Sequence, residues 1–197
     1  MMGSLQIVSL EQLYAAVQHA QTMAAAAAAA ASEAAARAAL PPPEPDEAAK
    51  VVWVQAGALR DSHLEVAALF KEVQGEVRIC DPYYGMGSLL RLDVLVHCKS
   101  IRFLTLRPDS KEQSFIKKAL SDFVTQHRHV EFRESSSPDL HDRYLLTDDE
   151  VIILGHGLKD VGKKESFVIR LSKDVCGDLI DALKISFDSK WTAAAPL

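Results

Sequence analysis

The chain reads as an α/β sandwich built on a mixed sheet, preceded by an Ala-rich helical arm. Three observations predict this. From residue 51 onward, short runs of β-branched and apolar residues alternate with segments of helical period. Near the end, two strand-like runs flank Asp148-Asp149-Glu150 and read as a hairpin, which adds antiparallel pairs to a parallel sheet. Before residue 51 the composition changes completely: 18 of the 27 alanines fall within residues 1–50.

The arm reads as one helix over residues 10–39. Ser9 and Gln12 can form a capping box, and Leu10, Leu13, Tyr14 and Val17 recur at helical spacing. Ala24–Ala31 can form helix but cannot fill a core, and Glu33 and Arg37 make a favourable i,i+4 pair. Pro41-Pro42-Pro43 ends the helix and opens an acidic, proline-rich linker to Lys50. Domain limits of 1–50 and 51–197 follow. The composition favours a solvated low-complexity arm; the alternative is a docking helix for a partner protein or another copy.

In the second part, Val51–Val54 reads as a strand and Asp61–Val73 as a helix carrying Leu64, Ala67, Ala68 and Leu69. Val77–Cys80 is a buried strand ended by Asp81-Pro82-Tyr83-Tyr84-Gly85, and Ser88–His97 is a leucine-rich helix. Ile101–Leu106 is a strand. Asp109 and Glu112 form a capping-box-like start for a helix faced by Phe115, Ile116, Leu120 and Phe123. Val130 and Phe132 mark a further strand. Leu140–Thr147 and Val151–Leu154 make the hairpin, and Phe167–Leu171 is the last strand. Ser172 caps a final helix with Leu179, Leu183, Phe187 and Trp191 on one side.

Charge and cysteine content narrow the function. Net charge is −5 over 197 residues, so no basic surface coats nucleic acid, and a phosphate ligand needs a local cluster of charge. Cys80, Cys98 and Cys176 form no CxxC pair, which argues against a zinc ribbon or a disulfide framework and suits a reducing cytosol. The Ala-rich stretch lacks the positive start of a signal peptide and is too weakly hydrophobic for an anchor. The chain therefore reads as soluble and cytoplasmic.

The segment that concentrates chemistry is Leu140-His141-Asp142-Arg143-Tyr144-Leu145-Leu146-Thr147-Asp148. On a strand, His141 and Arg143 share one face. An imidazole can attack phosphorus, and a guanidinium beside it can hold two phosphate oxygens. Asp148, at the strand end, is placed to orient and support the pair. As an ordinary strand-end feature, Arg143 would instead pair with Asp142 or Asp148.

His-x-Arg-x4-Asp over His141, Arg143 and Asp148 resembles the His-x-Lys-x4-Asp motif of the phospholipase D superfamily, with Arg143 where that family has Lys. Gly155 falls where the family's Gly-Ser-x-Asn-type segment begins. His156 and Leu158 stand where its Ser and Asn are found. A narrower likeness, carried by His141-Asp142-Arg143 and Gly155-His156-Gly157-Leu158, is to the phospholipase-D-like C-terminal domain of MIT-domain proteins. The resemblance implies a phospholipase D-like α-β-α sandwich over residues 51–191 and a phosphate pocket. His141, Arg143 and Asp148 would be its catalytic residues. Gly155, His156, Gly157 and Lys159 would form the phosphate-binding turn, with Asp81, Tyr83 and Tyr84 at the rim.

The superfamily's mechanism uses two histidines, and this chain carries one motif. The resemblance therefore implies a homodimer acting on a phosphodiester, as a nuclease or other phosphodiesterase, through a phosphohistidine-type intermediate and with no metal or other cofactor. The alternative is a non-catalytic module that binds phospholipid headgroups or nucleic-acid backbone in the same pocket, as expected of the MIT-protein subgroup. Elsewhere, His127 and His129 read as surface strand residues rather than metal ligands. Lys159, Lys163 and Lys164 form a small basic loop that reads as solvated, with a phosphate-steering lip as the alternative, and Cys176 reads as a packing residue.

Overall fold

Alternation of apolar residues along each strand determines how this chain layers. In the computed structural model, which describes residues 18, 19, 21–29, 32, 48–57 and 59–197, the chain divides into two units, residues 1–43 and 44–197. In the first unit residues 18, 19, 21–29 and 32 are helical, within the expected span. The Ser9–Gln12 cap, the Glu33–Arg37 pair and the Pro41–Pro43 run lie outside the described residues.

In the second unit the elements follow in the order β1 (Ala49–Val54), α1 (Leu59–Lys71), β2 (Glu76–Cys80), β3 (Tyr83–Tyr84), α2 (Met86–Leu92), β4 (Ser100–Thr105), β5 (Arg107–Pro108), α3 (Gln113–Gln126), β6 (Val130–Glu134), β7 (Tyr144–Leu146), β8 (Glu150–Leu154), β9 (Ser166–Ser172), α4 (Lys173–Ala193) and β10 (Ala195–Pro196). Eight strands form one mixed sheet in the order β1-β9-β8-β7-β2-β4-β6-β10. β2, β4 and β6 are parallel and joined through helices, while β7, β8, β9 and β1 run antiparallel to their neighbours. The expected α/β sandwich with a mixed sheet is the fold observed.

Side chains on successive strand residues enter opposite cores. Val77 and Ile79 of β2, Ile101 and Phe103 of β4 and Leu145 of β7 pack under α1, α2 and α3. Cys80, Leu104, Tyr144 and Leu146 face the other way and are covered by Ile180, Phe187 and Trp191 of α4. β3 and β5 form a separate two-stranded parallel sheet beyond the ends of β2 and β4, with Tyr83 opposite Arg107. Among the described residues no helix is long and apolar enough to cross a membrane.

Two local expectations need correction. The helix expected over Ser88–His97 is only α2, Met86–Leu92. Beyond it the backbone tightens, with Val94 N donating to Arg91 O and Leu95 N to Leu92 O. The capping pair Asp109 and Glu112 divides its work. The Asp109 carboxylate accepts from Lys111 N at 2.8 Å, whereas Glu112 reaches back to accept from Met86 N at the start of α2 (2.6 Å).

Candidate functional site

Register builds the site. Cys80 of β2 pairs with Tyr144 of β7, so the next residues along the two strands, Asp81 and Arg143, meet at the end of the ladder. Both lie on the face that carries Ile79 and Leu145. Arg143 Nε stands 3.7 Å from Asp81 Oδ1; the arginine side chain is 30 % exposed and the aspartate 0 %. Arg143 O accepts from Leu154 N, which carries the β7–β8 ladder one step past the strand.

Asp81 is the keystone of this corner. Its Oδ2 accepts from Leu158 N at 2.7 Å, and its Oδ1 accepts from Tyr83 N at 3.2 Å. One carboxylate thereby ties the end of β2 to the Gly155–Leu158 turn and to Arg143. Burial raises its pKa to about 6, against the opposing pull of the Leu158 and Tyr83 amides and the Arg143 charge. Gly157 is required here for space. A Cβ on it would lie 3.0 and 3.1 Å from the two Asp81 oxygens and 3.5 Å from Arg143 Nε.

His141 sits two residues before Arg143, in the extended segment leading into β7. Its side chain is exposed, and among the described residues it makes no hydrogen bond or ion pair. His156, half-buried on the Gly155–Leu158 turn, is likewise unpartnered among the described residues. The structure thus brings Asp81, Arg143, Gly157 and the backbone of Tyr83 together, with His141 and His156 on the flanking segments.

Other expected members lie elsewhere. Asp148 is at the opposite end of β7, 61 % exposed, paired with Lys184 (2.7 Å) and Arg78 (3.4 Å). The Lys184 hydrogen bond holds its pKa below the usual carboxylate range. The carboxylate on Arg143 is therefore Asp81, not Asp148. Tyr84 is a core residue, 1 % exposed and tilted against Phe132, so only Tyr83 reaches a surface. Lys159 is held by Asp109 at 2.7 Å and by Asp160, which neutralises it. Two amides of the glycine turn are already taken: Gly155 N donates to Phe167 O and Leu158 N to Asp81. The anion in that nest is the protein's own aspartate. His127 packs on Phe123, and no group of metal-ligating side chains occurs among the described residues.

A cleft of about 410 Å³ adjoins the site, lined by Tyr83, Arg107, Pro108, Asp109, Ser110, Gln113 and Lys159. Arg107 lies outside the motif and is not visible as a site residue from the sequence alone. The signal for it is topological: Arg107 follows β4 as Tyr83 follows β2, and parallel pairing of the two strands sets them opposite each other.

No family model matches the sequence, and no curated protein matches it. Solved structures do match, and they define the fold as phospholipase D-like. A phospholipase D family member, Nuc from Salmonella typhimurium, is similar with a TM-score of 0.60 at 12 % identity, over 76 % of this chain and 97 % of that one. Phosphatidylserine synthase of Haemophilus influenzae Rd KW20 is similar at 0.54 and 13 %, over 76 % of this chain, which spans 40 % of that protein. The archaeal chromatin protein TrmBL2, whose structure shows a mode of DNA binding, is similar at 0.50 and 15 %, over 95 % of this chain and 68 % of that one.

Proposed function

We propose that the domain handles phosphodiesters at His141 and Arg143, and that it cleaves them as a homodimer without a metal ion. The observation that carries this reading is the state of the two side chains. Arg143 is anchored through Nε on a fully buried carboxylate, and among the described residues no second carboxylate pairs with it. Two residues earlier in the chain, His141 is exposed and makes no hydrogen bond or ion pair among the described residues. An arginine anchored in this way can offer its terminal nitrogens to phosphate oxygens, and a free imidazole can serve as nucleophile or acid.

The chemistry follows from those roles. A His141 nitrogen attacks phosphorus, a P–N bond forms and the P–O bond to the leaving group breaks. The departing oxygen takes a proton from His141 of the partner subunit. Water then attacks phosphorus and gives its proton back to that second imidazole, and the P–N bond breaks. Arg143 balances the charge on the non-bridging oxygens throughout. One chain supplies one His141, which is why the reading requires two copies related by a two-fold axis. Fold-mates that include a phospholipase D family member and a phosphatidylserine synthase support a phosphodiester ligand.

A specific observation favours a second reading, a phosphate-binding module without turnover. Asp148 is engaged by Lys184 and Arg78, so it does not orient the His141 ring. The likeness of residues 140–158 to the C-terminal domain of MIT-domain proteins fits that alternative. The deciding experiment is incubation of the purified protein with bis(p-nitrophenyl) phosphate and with DNA and RNA oligonucleotides in EDTA. Turnover that disappears in His141→Ala supports the enzyme. Phosphate binding that depends on Arg143, with no turnover of any substrate, supports the binding module.

A further inference from the structure

We propose that the cleft beside Arg143 is a nucleoside subsite, and that the phosphodiester handled by this domain belongs to single-stranded nucleic acid. The inference rests on the phosphate site proposed above and names its substrate class. Two features of the cleft lead to it.

The first is continuity. Asp81 Oδ1 meets both Tyr83 N and Arg143 Nε. The backbone that carries the Tyr83 ring is hydrogen-bonded to this oxygen, and the guanidinium that would hold a phosphate is ion-paired with it, so the two are close neighbours. Tyr83, whose backbone is next to Arg143 across this carboxylate, is also a lining residue of the cleft, so a chain held at Arg143 by one phosphate would reach the cleft with a neighbouring nucleoside.

The second is the chemistry of the lining. The Arg107 guanidinium lies over the Tyr83 ring, 5.4 Å from its centroid. A flat π-face with a planar cation is a platform on which any nucleobase can stack. Lys159 is already matched by Asp109 and Asp160, so Arg107 is the cleft's uncompensated cation among the described residues. Ser110 and Gln113 are exposed, and their side chains make no hydrogen bond among the described residues, which leaves donors and acceptors for a base edge.

The same lining argues against other phosphodiesters. Pro108 is the one aliphatic side chain among its lining residues, too little apolar surface to enter a bilayer around a lipid headgroup. The Tyr83–Arg107 platform takes an unpaired base on its face, and a duplex keeps its bases in its own stack. A single strand, whose bases are free to stack, is the class that fits.

The test is fluorescence anisotropy of a labelled oligothymidylate of about eight nucleotides, in EDTA and in the His141→Ala background so that it stays intact. In parallel, the melting-temperature shift given by inorganic phosphate reads the phosphate site alone. Tyr83→Ala and Arg107→Ala are expected to weaken the oligonucleotide about fivefold or more while leaving the phosphate shift in place. Tyr83→Phe, which keeps the ring, is expected to bind as before. Unchanged oligonucleotide affinity in both Tyr83→Ala and Arg107→Ala overturns the subsite yet leaves the phosphate site standing, provided Arg143→Ala abolishes the phosphate shift. A phosphate shift that survives Arg143→Ala instead overturns the underlying site. Binding to vesicles of anionic phospholipid that is lost in Arg107→Ala, without oligonucleotide binding, overturns the nucleic-acid assignment in favour of lipid.

Discussion

Arg143 and Asp81 decide what this corner of the molecule can do, because each limits the other. If Arg143 is the principal charge for a phosphate, its loss removes at least one charge-assisted bond of roughly 1.5–3 kcal/mol. Arg143→Ala is therefore expected to weaken phosphate-ligand binding about tenfold or more. Lys163→Ala, in a loop where Lys163 pairs with Asp160 at 2.8 Å, should change it far less. Titration of both variants with inorganic phosphate checks this. Asp81 gives a separate reading of the balance between burial and ion pairing. Burial holds its pKa at about 6, above the 3.8 of a free aspartate. The folded state thus binds that proton more tightly than the unfolded chain, and the associated stability is present in full below 3.8 and lost as pH rises through about 6. The melting temperature of the wild type relative to Asp81→Asn should fall across that window and level off above it. A difference that rises instead would mean that Arg143 stabilises the carboxylate more than burial penalises it. The pairing itself was not legible in the sequence. Asp148 stands in the motif next to Arg143, but β7 carries the two residues to opposite ends of the sheet. Asp81 is 62 positions from Arg143 in the chain and meets it only through the β2–β7 register.

At the scale of elements, alternation made the strands readable. β2, β4, β8 and β9 fall within two residues of where the apolar pattern puts them. Elements decided by tertiary hydrogen bonds were not readable. β3 and β5 are two residues each, and nothing in Tyr83-Tyr84 or Arg107-Pro108 announces a strand until β2 and β4 are set side by side. The expected strand Leu140–Thr147 shortens to Tyr144–Leu146, since His141 and Asp142 have no neighbouring strand to pair with. The final helix turns Ile180 inward rather than Leu179, which is exposed, and the helix is kinked at Cys176 one turn earlier. The Gly155–Leu158 turn is the element on which the site's geometry depends. The backbone at Gly157 (φ −60°, ψ 150°) is open to any residue, so its requirement is space alone. Gly157→Ala should push the turn off Asp81 and displace Arg143. The expected result is a severalfold loss of phosphate affinity with a lowered melting temperature. Unchanged affinity would show that Asp81 and the turn do not position the arginine.

For the whole molecule, the composition break near residue 50 and the start of the folded unit nearly coincide, but not entirely. Residues 44–197 form one unit, and β1 begins at Ala49, with Ala49 and Lys50 paired to Leu171 and Arg170. A chain beginning at residue 44 is expected to keep a single cooperative melt, followed by circular dichroism. One beginning at residue 51 cuts into β1 and should melt lower. Loss of cooperative melting in the longer chain would mean that the Ala-rich arm belongs to the fold. The central claim concerns number: each chain carries one His141, and the cleavage proposed above, through a histidine adduct with a histidine as acid, uses two. Light scattering of the purified protein at about tens of micromolar, on the sample that is assayed for turnover in EDTA, tests this most directly. The account predicts a particle of twice the 21.6 kDa chain mass whose activity is lost in His141→Ala. A monomer, whether or not it turns over substrate, contradicts it.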